Sequence, residues 1–192
     1  MAAKRHERTQ ARIIAIKLIY QADMLECPIS KILEEGSFLD DGKPVPPYAL
    51  DLVKNFEEHQ SAIDKTLTAH SKGWPLHRMA TVDKAILRLA VTEMNYIEFV
   101  PVSVAINEAV ELARTFGWDE TAHRFVNGVL GGIASAGDAG VDAGVSDVVP
   151  YTDVDEIAVK DDTTAAAFAI AEDAACELQS ETAAEDKSSR VD

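Results

Sequence analysis

The stretch Pro101-Val-Ser-Val-Ala-Ile-Asn-Glu-Ala-Val-Glu-Leu-Ala-Arg-Thr-Phe-Gly117, followed closely by Arg124-Phe-Val-Asn-Gly-Val-Leu130, decides how the rest of this 192-residue chain is read. In the first segment Val104, Ala105, Ala109, Leu112, Ala113 and Phe116 share one helical face; in the second, Phe125, Val126, Val129, Leu130 and Ile133 share another. Two apolar stripes separated by a few polar residues predict an antiparallel helical hairpin. Gly117 stands where a left-handed cap suits glycine, and Asp119 where a carboxylate can accept hydrogen bonds from the free amides of the next helix.

Toward the N-terminus the same periodicity continues. Val82, Ile86, Leu89, Ala90, Val91 and Met94 mark a helix that Pro101 separates from the hairpin, and Leu76 to Met79 fit one further turn. The run Lys72-Gly-Trp-Pro75 breaks the pattern, because Gly73 can cap and Pro75 disfavours helix in the residue before it. Before the break, Leu52, Val53, Phe56, Ile63 and Leu67 predict a helix from Pro47 to about His70. Ile29, Ile32 and Leu33 predict a short one between Pro28 and Gly36. Ala11, Ile14, Ala15, Leu18, Ala22 and Leu25 predict a long first helix from about Arg5 to Met24. Asp40-Asp-Gly-Lys-Pro-Val-Pro-Pro47 reads as a turn-rich connector. No alternating strand pattern accompanies these helices, so the expected fold is all-α, with halves of about 1–73 and 74–135.

After Ile133 the composition turns to Ala, Gly, Asp and Val, too poor in large apolar groups to offset the entropy of ordering, and residues 136–192 are expected to be a disordered acidic tail. Ala165 to Leu178 alone has the composition of a transient helix. Charge divides in the same place. Residues 1–137 hold 15 Lys and Arg against 18 Asp and Glu, and residues 138–192 hold 3 against 15. The pI of about 4.6 is therefore largely a property of the tail and does not describe local patches. One basic patch opens the chain, where Lys4, Arg5, Arg8, Arg12 and Lys17 face only Glu7 within the first 20 residues.

Several kinds of chemistry find no support. Cys27 and Cys176 form neither a close pair nor a metal-type spacing, which fits a reducing compartment, and His59, His70, His77 and His123 lack paired-ligand spacing. No nucleophile motif or phosphate-loop glycine pattern occurs. No apolar run reaches the roughly 18 residues of a membrane span, and the basic start lacks a signal-peptide core. Asn107, Glu108 and Arg88 are expected to form a structural ion pair between packed helices.

What remains is recognition. Lys4, Arg5, Arg8 and Arg12 can lie along a phosphate backbone, and Tyr20 offers a ring to an unpaired base. The same basic residues also fit an ordinary solvated face. Arg124 and Phe125 set a cation beside an aromatic, although Phe125 equally fits a core position, and Asn127 can both donate to and accept from a base edge. Asn127-Gly128 inside an apolar helix is unusual, since both are weak helix formers; it points to close backbone approach or to recognition.

Taken together, Arg8-x-x-Ala11 leading to Ile19-Tyr20-Gln21, Val82-Asp-Lys-Ala-Ile-Leu-Arg-Leu-Ala90 with Glu93-Met94, Val104 to Ala113, Phe116-Gly117 and Phe125-Val-Asn-Gly-Val-Leu130 closely resemble the NusB family of transcription antitermination factors over about residues 5–135. The resemblance implies a helical bundle of two three-helix halves, no enzymatic activity and no cofactor. It also implies binding to the boxA element of ribosomal RNA leader transcripts, together with the ribosomal protein NusE, in an RNA polymerase antitermination complex in the cytoplasm. By position it carries RNA binding to Lys4, Arg5, Arg8, Arg12, Tyr20, Arg124, Phe125 and Asn127, and places Asp83 where RNA and the ribosomal protein lie. Glu7 and Thr9 interrupt the arginine-rich start of many members, which implies weaker, more partner-dependent phosphate contact. Two other readings stand beside it: a protein-only adaptor, and a module like that preceding some RNA cytosine methyltransferases.

Overall fold

The computed structural model describes residues 2–36, 44–71 and 73–137, with side chains from His6 onward. Among the described residues six α-helices follow one another: α1 Ala2–Leu25, α2 Ile29–Glu35, α3 Pro47–His70, α4 Thr81–Tyr96, α5 Val102–Phe116 and α6 Ala122–Ser135. A 3-10 turn, Leu76–Arg78, stands between α3 and α4. No strand occurs among the described residues. Three helices precede the break at Gly73 and three follow it, and the two sets share one hydrophobic core.

The chain breaks have local causes. Gly36 and Gly73 adopt left-handed φ of 64° and 78°, a region in which a Cβ is costly. Gly36 also closes α2 by donating its amide to the carbonyls of Ile32 and Leu33. Pro46 and Pro101 immediately precede α3 and α5 in extended conformation, as the fixed ring φ and absent amide favour at a helix start. Gly117 departs from the expected left-handed cap. Its φ is −58° and ψ 154°, and its reason is steric: a Cβ there would lie 2.3 Å from the Ala113 carbonyl oxygen and 2.5 Å from the Ala122 Cβ. Glycine lets the α5–α6 turn fold tightly onto both helices.

Helix α4 is the centre of the molecule. It packs against α1, α3 and α5, and Ala85 through Met94 are all buried, so it needs apolar residues nearly all round. Burial includes Arg88, whose Nε and Nη2 donate to the two oxygens of Asp64 at 2.9 and 2.8 Å while Nη1 donates to Asp23 at 2.8 Å. Lys84 reaches the other Asp23 oxygen at 2.6 Å. These contacts join α1, α3 and α4, so the expected pairing of Arg88 with Glu108 is replaced by one with carboxylates of the first half. The apolar face of α1 is also wider than the sequence pattern, taking in Ile13, Ile16 and Ile19. On α5 the stripe omits Val104, which is exposed, and uses Val102 instead. The acidic stretch from 138 onward, with the expected transient helix, lies outside the described residues.

Candidate nucleic-acid interface

The basic start of α1 is held in place by one of its own arginines. Arg12 is only 3% exposed. Its Nε donates to both Glu93 oxygens at 2.9 and 3.0 Å, and its Nη1 to Glu108 Oε2 at 3.1 Å. Thr9 donates its hydroxyl to the same Glu108 oxygen at 2.8 Å, and the Tyr48 hydroxyl donates to Glu93. Burial alone would lower the guanidinium pKa, but the bonds and charges of Glu93, with Tyr48 and Glu108, raise it. One cation thus fastens α1 to α3, α4 and α5. The expectation that Arg12 touches a phosphate is corrected here: its donors are committed to carboxylates, and its charge is largely screened from solvent.

Arg8 lies one turn earlier and is exposed. Its guanidinium carbon sits 5.1 Å from the Phe99 ring centroid and 5.8 Å from that of Tyr48, within cation–π range. The side chain is thereby supported on two rings with its charge facing outward. Lys4 and Arg5 belong to the opening turn of α1. Neither Phe99 nor Tyr48 was singled out by the sequence reading, since nothing local links residue 8 to residues 48 and 99.

At the other end of α1, 12 residues on and so about 18 Å along the helix, Tyr20 is buried. It forms part of the wall of a cleft of about 820 Å³ with Trp74, Arg78, Asp83, Trp118 and Phe125. The cleft therefore brings together three of the residues the sequence singled out, Tyr20, Asp83 and Phe125, from three different helices. Tyr20 is a wall rather than a projecting platform. Asp83 is 8% exposed, and its Oδ1 accepts the Trp118 backbone N–H at 3.2 Å. Burial raises its pKa, the Trp118 bond opposes that, and the nearby charge of Asp119 adds to the rise. Asp119 behaves as expected in kind, accepting the amide and hydroxyl of Thr121 at 2.7 Å each, which lowers its own pKa.

Arg124 and Asn127 are both exposed on α6, and Phe125 is half-buried between them and the core, its ring centroid 6.5 Å from that of Trp74. A Cβ on Gly128 would meet nothing within 4 Å. Close packing inside the molecule is therefore not what glycine serves there. The sequence reading missed both tryptophans, although each sits in a Gly-Trp pair, Gly73-Trp74 and Gly117-Trp118, at a break between helices. They are 51% and 76% exposed. Large aromatic rings presented by turns, rather than packed by helices, were the available signal.

Comparison with known proteins adds a family to this geometry. The NusB family model matches residues 9–135. Transcription antitermination protein NusB of Bacillus subtilis (strain 168) is 43% identical over 129 residues, 67% of this chain and 95% of that protein. Its counterpart in Halalkalibacterium halodurans is 40% identical over 123 residues, 64% of this chain and 90% of the relative. Among solved structures, T. maritima NusB superposes with a TM-score of 0.59 at 31% identity, covering 67% of this chain and 90% of that one. A crystal structure of antitermination factors NusB and NusE in complex with dsRNA gives 0.58 at 27% identity, covering 69% and 98%. Among the described residues no helix is long and apolar enough to cross a membrane.

Proposed function

This chain belongs to the NusB family, and on that premise we propose that it is an RNA-binding antitermination factor that acts with the ribosomal protein NusE. The finer reading is that its RNA is the boxA element of ribosomal RNA leader transcripts and that the assembly works on RNA polymerase. The observation that carries the proposal is the match of 127 contiguous residues to the family, joined to the likeness to a NusB solved with NusE and RNA. The geometry supplies the means. Arg8, with Lys4 and Arg5 in the same opening segment, gives sequence-blind attraction for phosphates. Arg12 is a positioning residue that fixes the helix carrying them.

Along the molecule the RNA passes from this end of α1 toward α6, where Arg124 contacts the backbone and Asn127 meets a base edge. Phe125 and Tyr20 line the cleft. Asp83 lies on the cleft wall and reaches RNA or ribosomal protein only through what enters it. No step here needs a catalytic group, and we assign none.

The test is a binding titration of labelled boxA RNA and of a scrambled RNA with the full chain and with a chain ending near Ile133, each with and without NusE. Tighter binding of boxA than of the scrambled RNA, strengthened by NusE, is the expected result. Partner capture that survives nuclease treatment, with no shift of boxA RNA, would instead identify a protein-only adaptor.

A further inference from the structure

We propose that the acidic segment following α6 docks on the basic start of α1, with residues 153–162 as its contact, and so competes with RNA for Arg8. The proposal rests on the RNA-binding reading above and concerns the regulation of that same surface. Residues 138–192 carry 15 Asp and Glu against 3 Lys and Arg, and they follow the span that matches the family, which ends at residue 135. The acids are unevenly placed. Asp153, Asp155, Glu156, Asp161 and Asp162 fall within ten positions that hold one base, Lys160, and are the densest group of carboxylates in the segment. A carboxylate resembles a phosphodiester in sign of charge and in offering oxygens that only accept.

The start of α1 offers the complementary charge. Lys4 and Arg5 stand one turn before Arg8, and positions three and four apart on a helix are neighbours. Arg8 is exposed and rests 5.1 Å from the Phe99 ring centroid and 5.8 Å from that of Tyr48. Glu93 and Glu108 are committed to Arg12, and among the described residues no carboxylate pairs with Arg8. Its donors are open to an oxygen anion, and one carboxylate can take two of them.

Reach and concentration favour this occupant. Asp153 comes 16 positions after Gly137, the last described residue, and 16 extended residues span up to about 55 Å. The whole of α1 is about 36 Å long, so its start is within reach from the end of α6. A tethered segment meets its site at a local concentration on the order of millimolar. Every RNA that needs Arg8 must displace the segment, and its apparent affinity falls by the fraction of sites left open. Weak, sequence-blind complexes are emptied first, whereas RNA held also by α6 and NusE persists.

The experiment compares the full chain with a full-length variant neutralised by Asp153→Asn, Asp155→Asn, Glu156→Gln, Asp161→Asn and Asp162→Asn. Each is titrated with labelled boxA RNA and with a scrambled RNA, without NusE, at about 50 and about 500 mM salt. A fluorescein-labelled peptide of residues 150–165 is then titrated against the neutralised chain and against the same chain carrying Arg8→Ala, with circular dichroism checking that helicity is equal. At low salt the neutralised chain should bind both RNAs more tightly than the native chain, by a common factor of at least about 3-fold. The difference should fade at high salt. The peptide should bind the neutralised chain, be displaced by boxA RNA, and bind about 2- to 5-fold more weakly after Arg8→Ala, as for one lost surface ion pair.

Equal affinities of the native and neutralised chains at low salt would overturn the proposal while leaving RNA binding intact. A neutralised chain that binds RNA more tightly, beside a peptide that neither binds it nor is displaced by RNA, would show repulsion at a distance without docking and likewise overturn it. Peptide binding undiminished by Arg8→Ala would move the contact to other cations and overturn the placement on α1. Absence of RNA binding by both chains would overturn the underlying reading, and the proposal with it.

Discussion

Arg12 and Glu93, 81 positions apart in sequence, form a bidentate buried ion pair in which the arginine Nε lies 2.9 and 3.0 Å from the two carboxylate oxygens. The pair makes a residue of basic appearance a structural fastener and leaves Arg8 as the exposed cation of this turn. Removing one member of such a pair strands the other without water. Arg12→Ala is expected to destabilise the fold by about 3–5 kcal/mol, read as a fall in denaturant midpoint. Arg8→Ala should change stability by less than about 1 kcal/mol, in keeping with an exposed side chain. Equal effects of the two substitutions would contradict the division of labour.

Gly117 is expected to refuse any side chain. With a Cβ meeting the Ala113 carbonyl oxygen and the Ala122 Cβ well inside contact distance, Gly117→Ala should cost about 1–3 kcal/mol by overpacking. Because the same turn presents the Trp118 amide to Asp83, the variant should also alter tryptophan emission in the absence of RNA. A thermal melt and an emission spectrum, both indistinguishable from the native chain, would refute this.

Gly128 should behave in the opposite sense. It lies within α6 with open space at its Cβ position, so Gly128→Ala should stabilise the protein by about 0.5–1 kcal/mol through helix propensity. If glycine is there to admit an RNA backbone, the same change should weaken boxA binding. A stabilised variant with undiminished RNA affinity would show that the position serves no ligand.

Asp23 on α1 and Asp83 in the first turn of α4 should give opposite pH signatures. Burial pushes the Asp23 carboxyl up, but hydrogen bonds from Lys84 and Arg88 outweigh it and hold its pKa below the ordinary value. Its contribution is therefore present above the unfolded-state value near pH 4 and lost as pH falls through the lower folded value. Asp83 is raised, chiefly by burial, so the fold favours its protonated form and stability is lost as pH rises from the unfolded value through the folded one. Asp23→Asn should be less stable than the native chain at pH 7 and converge with it in acid. Asp83→Asn should be at least as stable at pH 7, its advantage vanishing below about pH 4. Thermal melts from pH 2 to 8 check both signs.

The helices were legible because their apolar residues recur at a 3.6-residue period and their ends carry glycine and proline, whose backbone demands are local. Gly36 and Gly73 accordingly sit where the chain turns with positive φ. Gly117 was placed correctly as a break but for another reason, since a steric clash with Ala122 depends on the path of the following helix. Charge on α1 was read from the wheel alone, and the wheel cannot show that Glu93 and Glu108 lie beneath Arg12. Val104 fell off the predicted stripe because α5 turns Val102 inward at its first residue. Of the site, Phe125, Asp83 and Tyr20 could be named by likeness to a family. Their meeting in one cleft, and the two tryptophans that flank it, required the packing of α1 against α4 and of α5 against α6.

The most direct measurement is the affinity of the full chain for boxA RNA as a function of salt, in the native protein and in Arg8→Ala and Arg124→Ala. Log affinity should fall linearly with log salt concentration in the native chain, and each substitution should weaken binding and make that slope shallower by about 1, as for one lost phosphate contact. Slopes and affinities that coincide in all three proteins would contradict an RNA path running from Arg8 on α1 to Arg124 on α6.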